Sequence, residues 1–251
     1  MCYNLAMLPY AFLGLLAGWF INLTADYLPQ RQSPLQPPRC PYCGQGRGAL
    51  DWLSTLSYAL LRGRCAYCHA PISLRWPMVE LGTTLLFAFL RQQYAFSLQL
   101  ILVTLYVCIL ILVFVIDLEH RLVLNVVVLP AMALAIPGSF FLPHLGLVSS
   151  LLGGLVAFGL FFLAALIYPG GMGFGDVKLA AFIGLITGFP VVLAALLIAV
   201  LMGGAIAAIL LLARIRGRKS AIPYGPFLVL GGMVALFYGR EIVEWYLRFY
   251  A

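Results

Sequence analysis

Two aspartates, 59 residues apart, carry the chemistry most readily read from this chain. Asp117 follows the apolar run Ile109-Leu110-Ile111-Leu112-Val113-Phe114-Val115-Ile116, and Asp176 follows Gly170-Gly171-Met172-Gly173-Phe174-Gly175. Two carboxylates sharing a low-dielectric site cannot both ionise easily, so one keeps a proton while the other acts as base. That division of labour suits water-mediated peptide hydrolysis, one group deprotonating the water and the other polarising the carbonyl. Such a dyad titrates as a pair. Gly173 and Gly175, lacking side chains, let a substrate backbone come close to Asp176. The loop is not a phosphate cradle, because neither G-x-G-x-x-G nor a Gly-Lys-Ser/Thr ending is present. Either aspartate alone could also do no more than mark the water boundary of a span.

The chain has only eight acidic residues, so the others can be weighed singly. Glu80 lies just after Pro77 at the start of an apolar segment. An acid there is ordinary helix chemistry, but its place at a membrane edge also admits a functional role. Lys178 can favour the charged form of Asp176, contact substrate, or snorkel to the lipid interface. Glu119 and His120 read as exposed loop residues, although Asp117, His120 and Asp176 together could form a metal site. Arg240, Glu244 and Arg248 fall at i,i+4 spacing on a terminal helix; Asp26 and Asp51 belong to a polar insert.

That insert holds Cys40-Pro41-Tyr42-Cys43 and Cys65-Ala66-Tyr67-Cys68, two C-x2-C pairs with 21 residues between them. The pattern is close to that of four-thiolate zinc ribbons, in which each pair offers two sulfurs and two pairs close a tetrahedron. A segment so poor in core would take much of its folding free energy from the metal. Two disulfides, or redox C-x-x-C pairs, are the other readings. His69 could substitute for a thiol, or be a surface residue.

These groups must be held by apolar elements, since 64% of the 251 residues are hydrophobic and 9% are charged. A soluble domain carries about 25% charged residues. The expected fold is all-α: a polytopic membrane protein with about eight transmembrane helices and a small cytoplasmic zinc-binding insert. Spans of about 20 apolar residues are predicted near 3–23, 77–95, 98–116, 122–142, 147–168, 177–189, 191–213 and 226–247. Continuous rather than alternating apolar runs argue against a barrel.

Twelve of the fifteen Lys and Arg residues then fall on one side: Arg31, Arg39, Arg47, Arg62, Arg64, Arg75, Arg121, Lys178, Arg214, Arg216, Arg218 and Lys219. Arg91, Arg240 and Arg248 fall on the other. The positive-inside rule places the crowded side in the cytoplasm, with both termini outside. The net charge of +7 is thus mostly topology, and calls for no nucleic-acid partner. No Lys or Arg precedes Arg31, so the first span lacks the basic region of a cleavable signal peptide.

With these residues in view, the chain resembles the bacterial type IV prepilin peptidases, membrane aspartyl proteases with a GxGD motif. The resemblance rests on Gly171-Met172-Gly173-Phe174-Gly175-Asp176-Val177-Lys178-Leu179 and Phe114-Val115-Ile116-Asp117-Leu118-Glu119-His120. It extends through both cysteine pairs, Leu56 to Cys65, Pro71 to Glu80, and Ile222-Pro223-Tyr224-Gly225-Pro226-Phe227. It implies an A24-type enzyme of the bacterial inner membrane that cleaves the leader of prepilins or type II secretion pseudopilins after a glycine, on the cytoplasmic side. It further implies methylation of the new N-terminal amine with S-adenosylmethionine. Asp117 and Asp176 would carry cleavage. Cys40, Cys43, Cys65 and Cys68 would hold structural zinc, and Glu80 would serve methylation. The implied organisation is a first span at 1–24, a methyltransferase-associated insert at 25–76 and a peptidase core at 77–251.

Two departures stand out. The family's Gly-Ser-Phe-Leu-Asn block reads Gly18-Trp19-Phe20-Ile21-Asn22 here and lacks the serine, and the arginine that follows in the family is also missing. Leu124-Asn125 stands where Pro-Asp is usual. The first bears on methylation, leaving a peptidase without methyl transfer as an alternative. A proton-coupled transporter using the two aspartates is a rival of another class, but it predicts midplane carboxylates and an inverted repeat. A zinc-anchored scaffold would leave the Gly-rich aspartate loop without a purpose. Neither the pilin served nor the oligomeric state is legible.

Overall fold

The computed structural model describes residues 7–32, 40, 42–45, 54–143, 145–167, 172–213 and 223–250. Asp51, Gly170, Gly171 and the basic residues at 39, 47 and 214–219 lie outside them. The described chain is helical: α1 Met7–Tyr27, α2 Ser54–Leu60, α3 Arg75–Gln93, α4 Leu98–His120, α5 Asn125–Gly138, α6 Leu147–Ile167, α7 Phe174–Thr187, α8 Val191–Leu212 and α9 Gly225–Tyr250. No strand forms among the described residues beyond one isolated bridge between Arg64 and Pro71.

A helix falls on each of the eight expected spans. Five of them, α1, α4, α6, α8 and α9, are long and apolar enough to cross a membrane. The other three differ for local reasons. Helix α3 carries Arg75, Glu80 and Arg91, whereas α5 and α7 have only 14 residues each. At a rise of about 1.5 Å per residue, 14 residues span about 21 Å, short of a hydrocarbon core of about 30 Å.

The chain divides into two compact units, Met1–Cys108 and Ile109–Ala251, with the boundary inside α4. In the first unit α1 packs along α3. A Cβ at Gly14 would strike Phe87, and one at Gly18 would strike Thr83 and the Glu80 backbone. This small-xxx-small spacing brings two backbones together where lipid gives no hydrophobic drive to helix association. Asn22, fully buried, donates from Nδ2 to the Trp76 carbonyl at 3.0 Å. Arg75 pairs with Asp26, so that acid fixes the start of α3 to the end of α1. The Tyr10 and Thr104 hydroxyls meet at 2.5 Å, joining α1 to the first half of α4.

In the second unit α7 is the central helix. Every residue from Asp176 to Thr187 is buried except Lys178. Helices α5, α6, α8 and α9 all contact it. Contact with α6 is backbone against backbone, since a Cβ at Gly153 would enter the Gly184 carbonyl and one at Gly184 would enter Gly153. Ser150 ties the same pair by donating to the Leu185 carbonyl at 2.6 Å. A helix enclosed on all sides does not need lipid-spanning length, which explains how so short an apolar segment stays in place.

Candidate active site

Asp117 sits in the last turn of α4, which runs on to His120 rather than ending at the aspartate. The residue is 4% exposed. Asp176 occupies the first turn of α7 and is 9% exposed. The fold brings the two close enough that the charge of one acts on the other. Gly173, the cap residue of α7, accepts from the Asp176 N–H at 3.0 Å. A Cβ on Gly173 would stand 3.7 Å from Asp176 Oδ2, so this glycine borders the carboxylate. Gly175 has a different duty, because a Cβ there would collide with Val123 on the short link between α4 and α5.

Beside Asp117 lies Gly225, the first residue of α9. Its backbone hydrogen-bonds the Asp117 carboxylate, and that carboxylate fills the place a Cβ at position 225 would need. Asp117 Oδ2 is buried and has no hydrogen-bond partner among the described residues. Leaving a buried carboxylate oxygen unpaired is costly, and such an atom is what a water or a substrate group would satisfy. Lys178 is half-buried and donates to Asn125 Oδ1 at 2.8 Å. It therefore links α7 to α5 and is neither a loose interfacial cation nor a direct partner of Asp176. Glu119 and His120 lie together on the exposed end of α4.

The first unit carries the cysteine cluster and Glu80. All four sulfurs lie within 4.8 Å of one another, and Cys40 Sγ is 3.7 Å from Cys68 Sγ. Zinc–sulfur bonds of about 2.3 Å give a tetrahedron with edges of about 3.8 Å. The four thiols are free, and a disulfide would need about 2.05 Å. Each pair closes a similar knuckle. The N–H of Gly44 donates to the Cys40 carbonyl and that of His69 to the Cys65 carbonyl, with φ of 68° and 55° at those two residues. Thus His69 supplies a left-handed turn and is not among the four residues grouped for a metal. Burial opposes ionisation of Cys40, but hydrogen bonds from the backbones of Cys43 and Tyr42 and from neighbouring thiols outweigh it and bring the thiol down to about 6. The donor set and its spacing fit a structural zinc ion.

Glu80 lies in the second turn of α3, since that helix begins at Arg75 and not at Pro77. It is fully buried. Its Oε2 accepts the Thr55 backbone N–H at 2.7 Å and the Thr55 hydroxyl at 2.6 Å. A side chain of α3 thereby satisfies a first-turn N–H of α2, one of the donors that every helix leaves open.

Two family models match consecutive parts of the chain. The bacterial peptidase A24 N-terminal domain covers residues 12–94, and the type IV leader peptidase family covers 104–208. A protein of Pseudomonas aeruginosa named prepilin leader peptidase/N-methyltransferase is 31% identical across 98% of this chain and 97% of its own length. The chain belongs to the type IV leader peptidase family. A Bacillus subtilis protein of the same name is 31% identical over 94% of the chain and 95% of the relative, and one from Legionella pneumophila is 33% identical over 84% and 75%. No solved structure matches. Membership makes this chain an enzyme of the leader peptidase class, built on membrane helices with a four-cysteine cluster. Both halves of the family architecture are present, and the N-terminal match encloses the cysteines and Glu80.

Sequence reading singled out Asp117, Asp176, Gly173, Gly175, Lys178 and the cysteines, but not the neighbours that complete their surroundings. Gly225 stood out only within the block Ile222 to Phe227 that carries the family resemblance, and Thr55 lay in an unremarked polar stretch.

Proposed function

We propose that this protein removes the leader peptide of type IV prepilins or type II secretion pseudopilins and then methylates the exposed N-terminal amine with S-adenosylmethionine. The observation that carries the peptidase half is the pairing of Asp117 and Asp176, buried within electrostatic reach of each other at the ends of α4 and α7. One carboxylate acts as base toward a water and the other, protonated, polarises the scissile carbonyl. Gly173 keeps the approach to Asp176 open to a peptide backbone. The names of the full-length relatives support both activities.

The methyltransferase half is assigned to the N-terminal region. Cys40, Cys43, Cys65 and Cys68 hold zinc as a folding element, and Glu80 braces the insert beside them. The enzyme lies in the bacterial inner membrane with eight helices embedded, the three shorter or more polar ones sheltered by the rest. Cleavage and the zinc insert face the cytoplasm, which agrees with the twelve-to-three division of basic residues.

The test is cleavage of a purified prepilin by the reconstituted enzyme, alongside Asp117→Asn and Asp176→Asn. Each variant is expected to lose at least about 10²-fold in rate, as general acid–base groups contribute on that order. Full activity in either variant would sink the dyad. Label from S-adenosylmethionine is expected on the cleaved pilin, and an unlabelled product would restrict the function to proteolysis.

A further inference from the structure

Residues Tyr224 and Gly225 turn the chain into α9, with Gly225 against Asp117 and Tyr224 within electrostatic reach of Asp176. The Gly225 backbone lies on the Asp117 carboxylate with no room for a Cβ. The charge of Asp176 reaches the Tyr224 phenol. The ring of Tyr224 is held firmly. It packs against Phe161 of α6 with centroids 5.9 Å apart and against Phe227 of α9 at 6.2 Å. A Cβ on Gly203 of α8 would stand 3.0 Å from its edge, so that glycine makes room for it. The Tyr224 carbonyl accepts from the Phe227 N–H at 3.1 Å, fixing the backbone as well. Tyr224 is half-buried, yet its hydroxyl makes no hydrogen bond among the described residues. Burial, and secondarily the Asp176 charge, push the phenol up to about 12, so it stays a neutral donor.

We propose that the Tyr224–Gly225 corner is a third component of the peptidase site, with Gly225 positioning Asp117 and the Tyr224 hydroxyl donating to the scissile carbonyl oxygen. This rests on the aspartyl-peptidase reading. In that reaction the water oxygen bonds to the carbonyl carbon and its proton passes to the ionised aspartate. The carbonyl oxygen takes a proton from the other. The C–N bond then breaks, the nitrogen leaving with the proton held by the first aspartate, while a hydroxyl of the intermediate returns its proton to the second. Tyr224 gives up no proton. Its hydrogen bond strengthens as charge builds on the oxygen, the situation in which a preset donor contributes most.

The test compares Tyr224→Phe, Gly225→Ala and, as a control, Gly204→Ala, whose Cβ meets only open space. Tyr224→Phe keeps the ring and is expected to lose about 10²-fold in kcat, the order seen on removing one such donor, with KM within about threefold. Its affinity for a tetrahedral hydroxyl-bearing inhibitor should fall by a similar factor, while affinity for a reduced-amide inhibitor should hold. Gly225→Ala should lose at least about tenfold in kcat and change the shape of the pH–rate profile, because it displaces the aspartate itself. Gly204→Ala should match wild type. Wild-type kcat in Tyr224→Phe, or equal loss of affinity for both inhibitors, overturns the donor role. A wild-type rate and pH profile in Gly225→Ala overturns the positioning role. If Gly225→Ala does not fold, the two-inhibitor comparison on Tyr224→Phe decides. Were Asp117→Asn and Asp176→Asn to cleave normally, the underlying reading would fail instead of this one.

Discussion

Glu80 and Thr55 are joined twice, through the Thr55 backbone N–H and through its hydroxyl, both bonded to the same carboxylate oxygen. The acid thus fastens a seven-residue helix that has little length with which to stabilise itself. Buried and occupied in this way, Glu80 would serve the proposed methyl transfer by holding α2 in place. Glu80→Ala is expected to cost about 1.5–3 kcal/mol locally, the range for hydrogen bonds to a charged group. Amide exchange over 54–60 should accelerate, methyl transfer should fall and leader cleavage should persist. Unchanged exchange in that segment would show that the brace is unimportant.

Metal removal is expected to act on the first unit. Cys65→Ser or Cys40→Ser should abolish stoichiometric zinc, and a strong chelator should sensitise the insert to proteolysis while α6 to α9 stay resistant. One ion per chain is the expected content by elemental analysis. Full zinc content in both serine variants would exclude the cluster as its ligand set.

Ionisation of Cys40 has a measurable counterpart. Hydrogen bonds from its neighbours bring the thiol down from an ordinary 9.0 to about 6, which favours the thiolate at neutral pH. Capture of zinc should therefore release fewer protons than there are thiol ligands, and the number should rise as the pH is lowered through 6. Calorimetry in buffers of different ionisation enthalpy reads that number directly. Release of one proton per sulfur at pH 7 would show that no thiol is ionised beforehand.

Close packing of α6 on α7 predicts opposite outcomes for two glycines of one helix. Gly153→Ala meets the backbone at Gly184 and Gly188, while the Cβ of Gly159→Ala meets open space. The first should destabilise by at least about 1–3 kcal/mol, the usual scale of overpacking, and lower cleavage because α7 carries Asp176. The second should leave both unchanged. Thermal unfolding in detergent together with cleavage rate measures the pair.

The helices were legible because each apolar run is continuous and bounded by polar or glycine-rich sequence. Agreement extends to a few residues: Leu147–Ile167 was expected at 147–168 and Phe174–Thr187 at 177–189. Helix α5 is shorter than the apolar run containing it, since residues 121–124 stay non-helical before Asn125, with Arg121 at a left-handed φ of 54°. Misplacing the start of α3 came from treating Pro77 as the first helical residue, when Arg75 precedes it inside the helix. The cysteine cluster was legible because a C-x2-C spacing is local. The fit of Gly225 against Asp117 was not, because the two residues meet only through the packing of α9, and no spacing along the chain encodes that. Thr55 escaped notice for the same reason, as its partner lies 25 residues away in another helix.

The enclosure of α7 has a consequence for where Asp176 lies. A helix touching lipid adjusts its tilt and depth to the bilayer around it. Helix α7 is wrapped by protein, so its height is fixed by the Gly153–Gly184 and Ser150–Leu185 contacts. Thicker or thinner membranes would tilt the outer helices, but the aspartate would keep its distance from its protein neighbours. The second unit thus carries its own internal ruler, and under the proposed peptidase reading the cut on a substrate would be gauged against protein, not against the lipid surface.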